Sequence, residues 1–160
     1  MQKIRTATFE DLDAIAAVEA ACFPAAEAAT KEEFAGRLTH YADHFWLLFE
    51  DEKLVSFVDG FVTDTPDLTD EMYADASLHD AHGAWQMIFG VNTLPEYRKQ
   101  GLAGQLLHRA SPMQRLRAAG GWCHLQGQAR ALLRRLRLCQ RRRFRLHPRG
   151  VVWYQMRLTF

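Results

Sequence analysis

The run Arg98-Lys99-Gln100-Gly101-Leu102-Ala103-Gly104 combines the residue types needed to hold an anion. Ahead of it lies the aromatic and β-branched stretch Trp85 to Thr93, which reads as a strand. Behind it an apolar, helix-forming segment begins at Leu102. A strand that passes through such a turn into a helix leaves backbone N–H groups unpaired at the helix N-terminus. The helix dipole adds partial positive charge there, so a pyrophosphate can be gripped largely by main chain. Gly101 lets the backbone approach the anion, Ala103 and Gly104 keep the surface open, and Arg98 and Lys99 supply full charges. A helix start with solvated charges has the same residues, so the turn acquires meaning only from what surrounds it.

The surrounding elements follow from pattern. Gln2 to Ala7 reads as a short strand, and Thr8 as the N-cap of a helix whose apolar face carries Leu12, Ile15, Ala16 and Val18. Thr30-Lys31-Glu32-Glu33 has the spacing of a capping box, which predicts a second helix to about Thr39. Phe45 to Glu50 and Leu54 to Val62 are strand-like runs joined by Asp51-Glu52-Lys53, a hairpin. The acidic stretch from Thr63 to Gly83 should be a loop with one helical turn near Asp70 to Ala74, and loops of this length in compact domains are often functional.

In this setting the run Phe89 to Leu107 resembles the acetyl-CoA motif of the GNAT acetyltransferases. There a hydrophobic strand leads into Pro-x-x-Arg, here Pro95-Glu96-Tyr97-Arg98, then x-x-Gly-x-Gly/Ala and a leucine-rich helix. The resemblance covers about residues 2 to 109, with Val151 to Leu158 as a final strand. It implies an α/β (α+β) fold, a mixed, mostly antiparallel sheet flanked by helices and splayed at the fourth strand, in one domain over 1–160. It implies acetyl-CoA as co-substrate, no metal, and a small-molecule or peptide amine as acceptor. The main chain of Phe89, Gly90, Val91, Asn92 and Thr93 would pair with the pantetheine arm. Arg98, Lys99, Gln100, Gly101, Leu102, Ala103 and Gly104 would cradle the pyrophosphate. A main-chain N–H near Gly90 to Asn92 would polarise the thioester carbonyl, and the amine would attack it directly.

Direct attack needs a deprotonated amine and hence a general base. The arylalkylamine branch of the superfamily carries histidines on the fourth strand, where this chain has Met87 and Phe89, so that mechanism does not transfer. Three residues are candidates: Glu19 on the first helix, and His79 and His82 ahead of the strand. Asp64, Asp67, Asp70, Glu71 and Asp75 would suit a cationic amine, or form a solvated face.

Composition bounds the rest. At 160 residues and 48% hydrophobic content the chain suits one domain with a sizeable core. No apolar run approaches the roughly 18 to 20 residues of a membrane span and no secretion signal is evident, so a cytoplasmic protein is expected, with homodimerisation open. Cys22, Cys123 and Cys139 are too widely spaced for a C-x-x-C metal site and read as free thiols. The net charge of +1 conceals two unlike parts: all 19 acidic residues lie at or before Glu96, and 15 of the 20 basic ones lie after it. From Ala110 to Arg149 there are 11 arginines and no lysine, aspartate or glutamate.

Members of the family place a tyrosine on a late helix as proton donor to the departing thiolate, followed by a Gly-Phe turn, and nothing of that kind follows Ala110. Permitted codons for Cys123 to Arg149, read from the second base of each, encode VTCKDKHALYYADFGFVNEGVSGSTHG. This restores lysines, acids, paired tyrosines at the places of Leu132 and Leu133, and a Gly-Phe turn. Residues from about Ser111 to Arg149 therefore read as a compensated frameshift. Taken at face value, the same stretch is an arginine-rich polyanion- or RNA-binding module, or leaves a non-catalytic acyl-CoA-binding protein. Its few aromatics, Trp122 and Phe144, and the lack of a nucleic-acid motif speak against nucleic acid as a partner.

Overall fold

A computed structural model describes residues 1–109, 139–145 and 152–157 of the chain. The expected order of elements is present. Strand β1 (Gln2–Thr6) leads through Thr8, whose N–H donates to Asp11 Oδ2 at 2.8 Å, into helix α1 (Leu12–Cys22). Helix α2 (Lys31–Tyr41) starts at the anticipated box: Glu33 N–H donates to Thr30 Oγ1 at 3.1 Å, and Thr30 N–H to Glu33 Oε2 at 2.6 Å. Two backbone amides at that end are thereby satisfied.

Strands β2 (Phe45–Glu50) and β3 (Lys53–Asp59) form the hairpin. Its turn residues Asp51 and Glu52 have φ of 46° and 67°, the left-handed pair that matches strand twist in a two-residue connection. Past Gly60 the chain continues as β4 (Val62–Thr63), and the acidic loop holds the one-turn helix α3 (Glu71–Ala74). Strands β5 (Trp85–Gln86) and β6 (Gly90–Thr93) follow, then the turn and helix α4 (Leu102–Arg109). Strands β7 (Cys139–Arg145) and β8 (Val152–Arg157) pair antiparallel; β8 lies within the final strand expected over Val151 to Leu158, and β7 falls in the arginine-rich stretch. The remainder of the proposed frameshift, including Leu132 and Leu133, lies outside the described residues.

The main sheet has the order β1-β2-β3-β6, all antiparallel, and β6 has no partner on its outer side among the described residues. Side chains alternate across it. Phe45, Phe57 and Asn92 share the face covered by α1 and α2, with the Phe34 ring 5.9 Å from Phe57 and 6.2 Å from Phe45. Trp46, Leu48 and Val58 are buried on the other face, and α4 packs on β2, β3 and β6 through Leu102, Leu106 and Leu107.

One expectation needs correction. Trp85 to Thr93 is not a single strand, because its register against the β3-β4 chain shifts by one. Val62 faces Gln86 and Thr63 faces Trp85, a register that would set Asp59 opposite Phe89, yet Asp59 faces Gly90. Phe89 and Gly90 thus both oppose Asp59, which is a β-bulge. The chains cross closely beside it: a Cβ at Gly60 would lie 1.8 Å from Met87 O, so only glycine fits.

Candidate functional site

The bulge decides which main-chain groups of β6 face outward. In an antiparallel pair, residues alternate between pointing both polar groups at the neighbour and pointing both away. Phe89 N–H donates to Asp59 O at 2.8 Å, and after the shift Leu94 N–H donates to Val55 O at 2.9 Å. With Leu94 turned toward β3, so is Asn92, and Val91 and Thr93 turn to the outer edge of the strand. The Gly90 N–H is held by the Asp59 carboxylate. Of the span Gly90 to Asn92, Val91 alone presents its N–H at that edge. The Thr93 carbonyl is already capped by Arg98 Nε at 3.1 Å and by Cys22 Sγ at 3.3 Å.

The same edge continues into the turn. Lys99 has φ 65° and Gly101 φ 81°, so the chain makes two left-handed residues between Arg98 and the first turn of α4. Gly101 is needed for its φ and not for space, since a Cβ there would meet nothing within 4 Å among the described residues. Arg98, Lys99, Gln100 and Gly101 are exposed, and Leu102 anchors the helix in the core. Gln105 N–H closes the first turn on Gly101 O at 3.0 Å. The amides ahead of it lie at the helix start, the arrangement that receives phosphate.

On the α1-α2 side of β6 lies a buried polar chain. Glu19 is 7% exposed; its Oε1 accepts from Ala29 N–H at 3.0 Å and its Oε2 from Asn92 Nδ2. Burial pushes the Glu19 carboxyl above its ordinary range, opposed by the Ala29 amide and reinforced by the nearby Asp59. Asn92 Oδ1 is buried and has no partner among the described residues. Cys22, one turn along α1, is a free thiol beside Arg98, and burial raises its pKa. Farther along, Asp59 Oδ2 pairs with Arg37 Nη1 at 3.1 Å, with both side chains almost fully buried, and Arg37 Nη2 reaches Tyr73 O at 3.5 Å.

Of the three candidate bases, only Glu19 contacts β6. His79 is half-buried against Tyr41, His44 and Phe61, its Nδ1 accepts from Val62 N–H at 3.1 Å, and burial holds its pKa below the ordinary value. His82 is exposed, its N–H donating to Asp80 Oδ1 at 2.9 Å. Asp64, Asp67, Asp70, Glu71 and Asp75 are exposed; Asp64 Oδ1 accepts from Ala84 N–H and Asp75 Oδ1 from Ser77 N–H, both at 2.9 Å. Sequence reasoning missed Arg37 and Asp59. Arg37 sits in the apolar stripe Phe34, Leu38, Tyr41, and Asp59 interrupts an apolar strand; each is a charge where the pattern calls for a hydrophobe.

The profile of the Acetyltransferase (GNAT) family matches residues 11–137. The chain belongs to that family. No curated protein sequence matches it. Among solved structures, the loading GNATL domain of CurA from Lyngbya majuscula superposes with a TM-score of 0.83 at 17% identity, covering 99% of this chain and 98% of that one. The ribosomal-protein-S18-alanine N-acetyltransferase from Escherichia coli gives 0.71 at 18%, covering 99% and 94%. Both likenesses are of fold: a mostly antiparallel sheet flanked by helices. The GphF GNAT-like decarboxylase in complex with isobutyryl-CoA gives 0.67 at 28% identity, covering 81% of this chain and 71% of that one. Among the described residues no helix is long and apolar enough to cross a membrane, and no cluster of three or more His, Cys, Asp or Glu could hold a metal.

Proposed function

We propose that the protein transfers an acetyl group from acetyl-CoA directly to a primary amine of a small molecule or peptide. The observation that carries this reading is the outward-facing edge at Val91 running into the basic left-handed turn at Arg98 to Gly104, a lane with a hydrogen-bonding end and an anion-holding end. The pyrophosphate lies on the amides of 99–104, flanked by Arg98 and Lys99, and the pantetheine follows the β6 edge back to Val91. The Val91 N–H donates to the thioester carbonyl, favouring the tetrahedral oxyanion. The amine nitrogen attacks the carbonyl carbon, a C–N bond forms, the C–S bond breaks, and CoA leaves as the thiolate. Glu19 takes the amine proton, its raised pKa bringing a carboxylate closer to the working pH of a base; solvent protonates the thiolate. Release of CoA thiol from acetyl-CoA across a panel of primary amines tests the reading: amine-dependent release supports it, and release that no amine stimulates defeats it.

One observation favours a second reading, the 28% identity to a GNAT-like decarboxylase. A carboxyacyl-CoA such as malonyl-CoA, seated the same way, would lose CO2 as its C–C bond electrons pass into the thioester carbonyl held by Val91, and the enolate would take a proton. Amine-independent CO2 release from malonyl-CoA would establish this reading in place of the first.

A further inference from the structure

We propose that the buried Asp59–Arg37 pair positions the thioester end of β6 by holding the bulge at Phe89 and Gly90. The inference rests on the assignment of the Val91 N–H to the thioester carbonyl. A bulge needs something to fix it, because the regular register, with Asp59 opposite Phe89 alone, would continue the pairing already set by β4 and β5 and turn Val91 inward. Asp59 contacts both bulged residues. Its carbonyl takes the Phe89 N–H at 2.8 Å and its carboxylate takes the Gly90 N–H. The carboxylate lies so close to Gly90 that a Cβ there would stand 2.5 Å from Asp59 Oδ1. Arg37 in turn fixes the carboxylate from α2 at 3.1 Å, and its Nη2 ties to Tyr73 O in the acidic loop.

Stability does not explain the pair. Two charges taken fully out of water gain back little more than their desolvation, and an apolar pair of similar volume is commonly as stable. Arg37 Nε is even left without a partner among the described residues. What leucines could not supply is an acceptor for the Gly90 N–H. Without one the strand relaxes toward the regular register, and Val91 withdraws its N–H from the edge. The turn at Arg98 to Gly104, anchored separately by α4, keeps its hold on the pyrophosphate. Asp59 and Arg37 thus act through Val91 and not on the substrate.

The test is the carbonyl carbon resonance of [1-13C]acetyl-CoA bound to the full chain, with CoA affinity measured alongside. In the parent protein the resonance should move downfield from free acetyl-CoA. The R37L/D59L variant should fold, bind CoA as the parent does, lose that shift, and release thiol about 100-fold more slowly, the cost of about 1 Å of misplacement. The R37Q/D59N variant, which removes both charges and retains an acceptor oxygen for Gly90, should restore most of the shift. Gly90→Ala makes the same cut from the other side, by forcing the carboxylate away, and serves if the leucine pair does not fold. A parent-like shift in R37L/D59L or in Gly90→Ala overturns the positioning role and leaves the proposed function standing. No shift in the parent itself means that Val91 does not hold the thioester, and the reading beneath the inference falls.

Discussion

Replacing Gly101 by alanine isolates the anion-holding turn from everything else in the site. Gly101 has φ 81°, and a methyl group there would meet nothing within 4 Å among the described residues, so collision with them contributes nothing. What remains is the intrinsic preference of an L-residue against left-handed backbone, about 1–2 kcal/mol. That energy must appear in one of two places. If the turn keeps its shape the folded state carries the strain, and Tm falls by about 2–8 °C at roughly 2–4 °C per kcal/mol for a domain of this size. If the turn relaxes, the amides at the α4 start swing off the pyrophosphate and CoA binds about 5- to 30-fold more weakly, the same energy expressed as a ratio. Isothermal titration with CoA and with S-acetylpantetheine separates the outcomes, because the pantetheine fragment has no pyrophosphate and its affinity should not change. Equal losses for CoA and the fragment would refute the assignment of the turn to the pyrophosphate. An unchanged Tm together with an unchanged CoA affinity would refute the strain reasoning itself.

Val91→Pro should leave the sheet intact, since the lost N–H points away from β3, and lower kcat by about 100- to 1,000-fold with little change in the KM for acetyl-CoA; unfolding on chemical denaturation at lower midpoint would show that the N–H is used inside the sheet. Glu19→Gln should abolish amine-dependent turnover and raise stability at pH 7 to 8. The sign follows from burial: the folded pKa lies above the unfolded one, so the carboxyl favours folding while protonated, and its contribution is lost as pH rises through the folded value. The stability gain of the variant should therefore vanish on titrating below the unfolded value near 4.5, which thermal melts across pH would check. Tandem mass spectrometry of peptides from residues 110 to 150 should return KDKHALYYADFGF in place of the arginine-rich text; peptides matching that text would remove the frameshift.

The elements that were legible in the sequence are those governed by local rules. The capping box at Thr30 and Glu33, the hairpin at Asp51 and Glu52, and the basic turn after Pro95 each depend on residues within a few positions of one another, and each forms where the pattern placed it. The bulge was not legible. Trp85 to Thr93 has continuous strand character, and nothing local marks Phe89 and Gly90 as sharing one opposite residue, because that depends on how two separately nucleated pairings meet. Glu19 could be suspected from its place on α1, but its contact with Asn92, 73 residues away, could not.

The sequence by itself determined the family, the order of elements and the turn from Arg98 to Gly104, since spacing along the chain carries all three. Only the tertiary structure decided which N–H faces the outer edge, which acid stands beside it, and that Arg37 and Asp59 are joined. Those depend on register and burial. A one-residue shift reverses every main-chain direction beyond it, and a charge acquires its meaning from partners that the fold, and not the chain order, brings within reach.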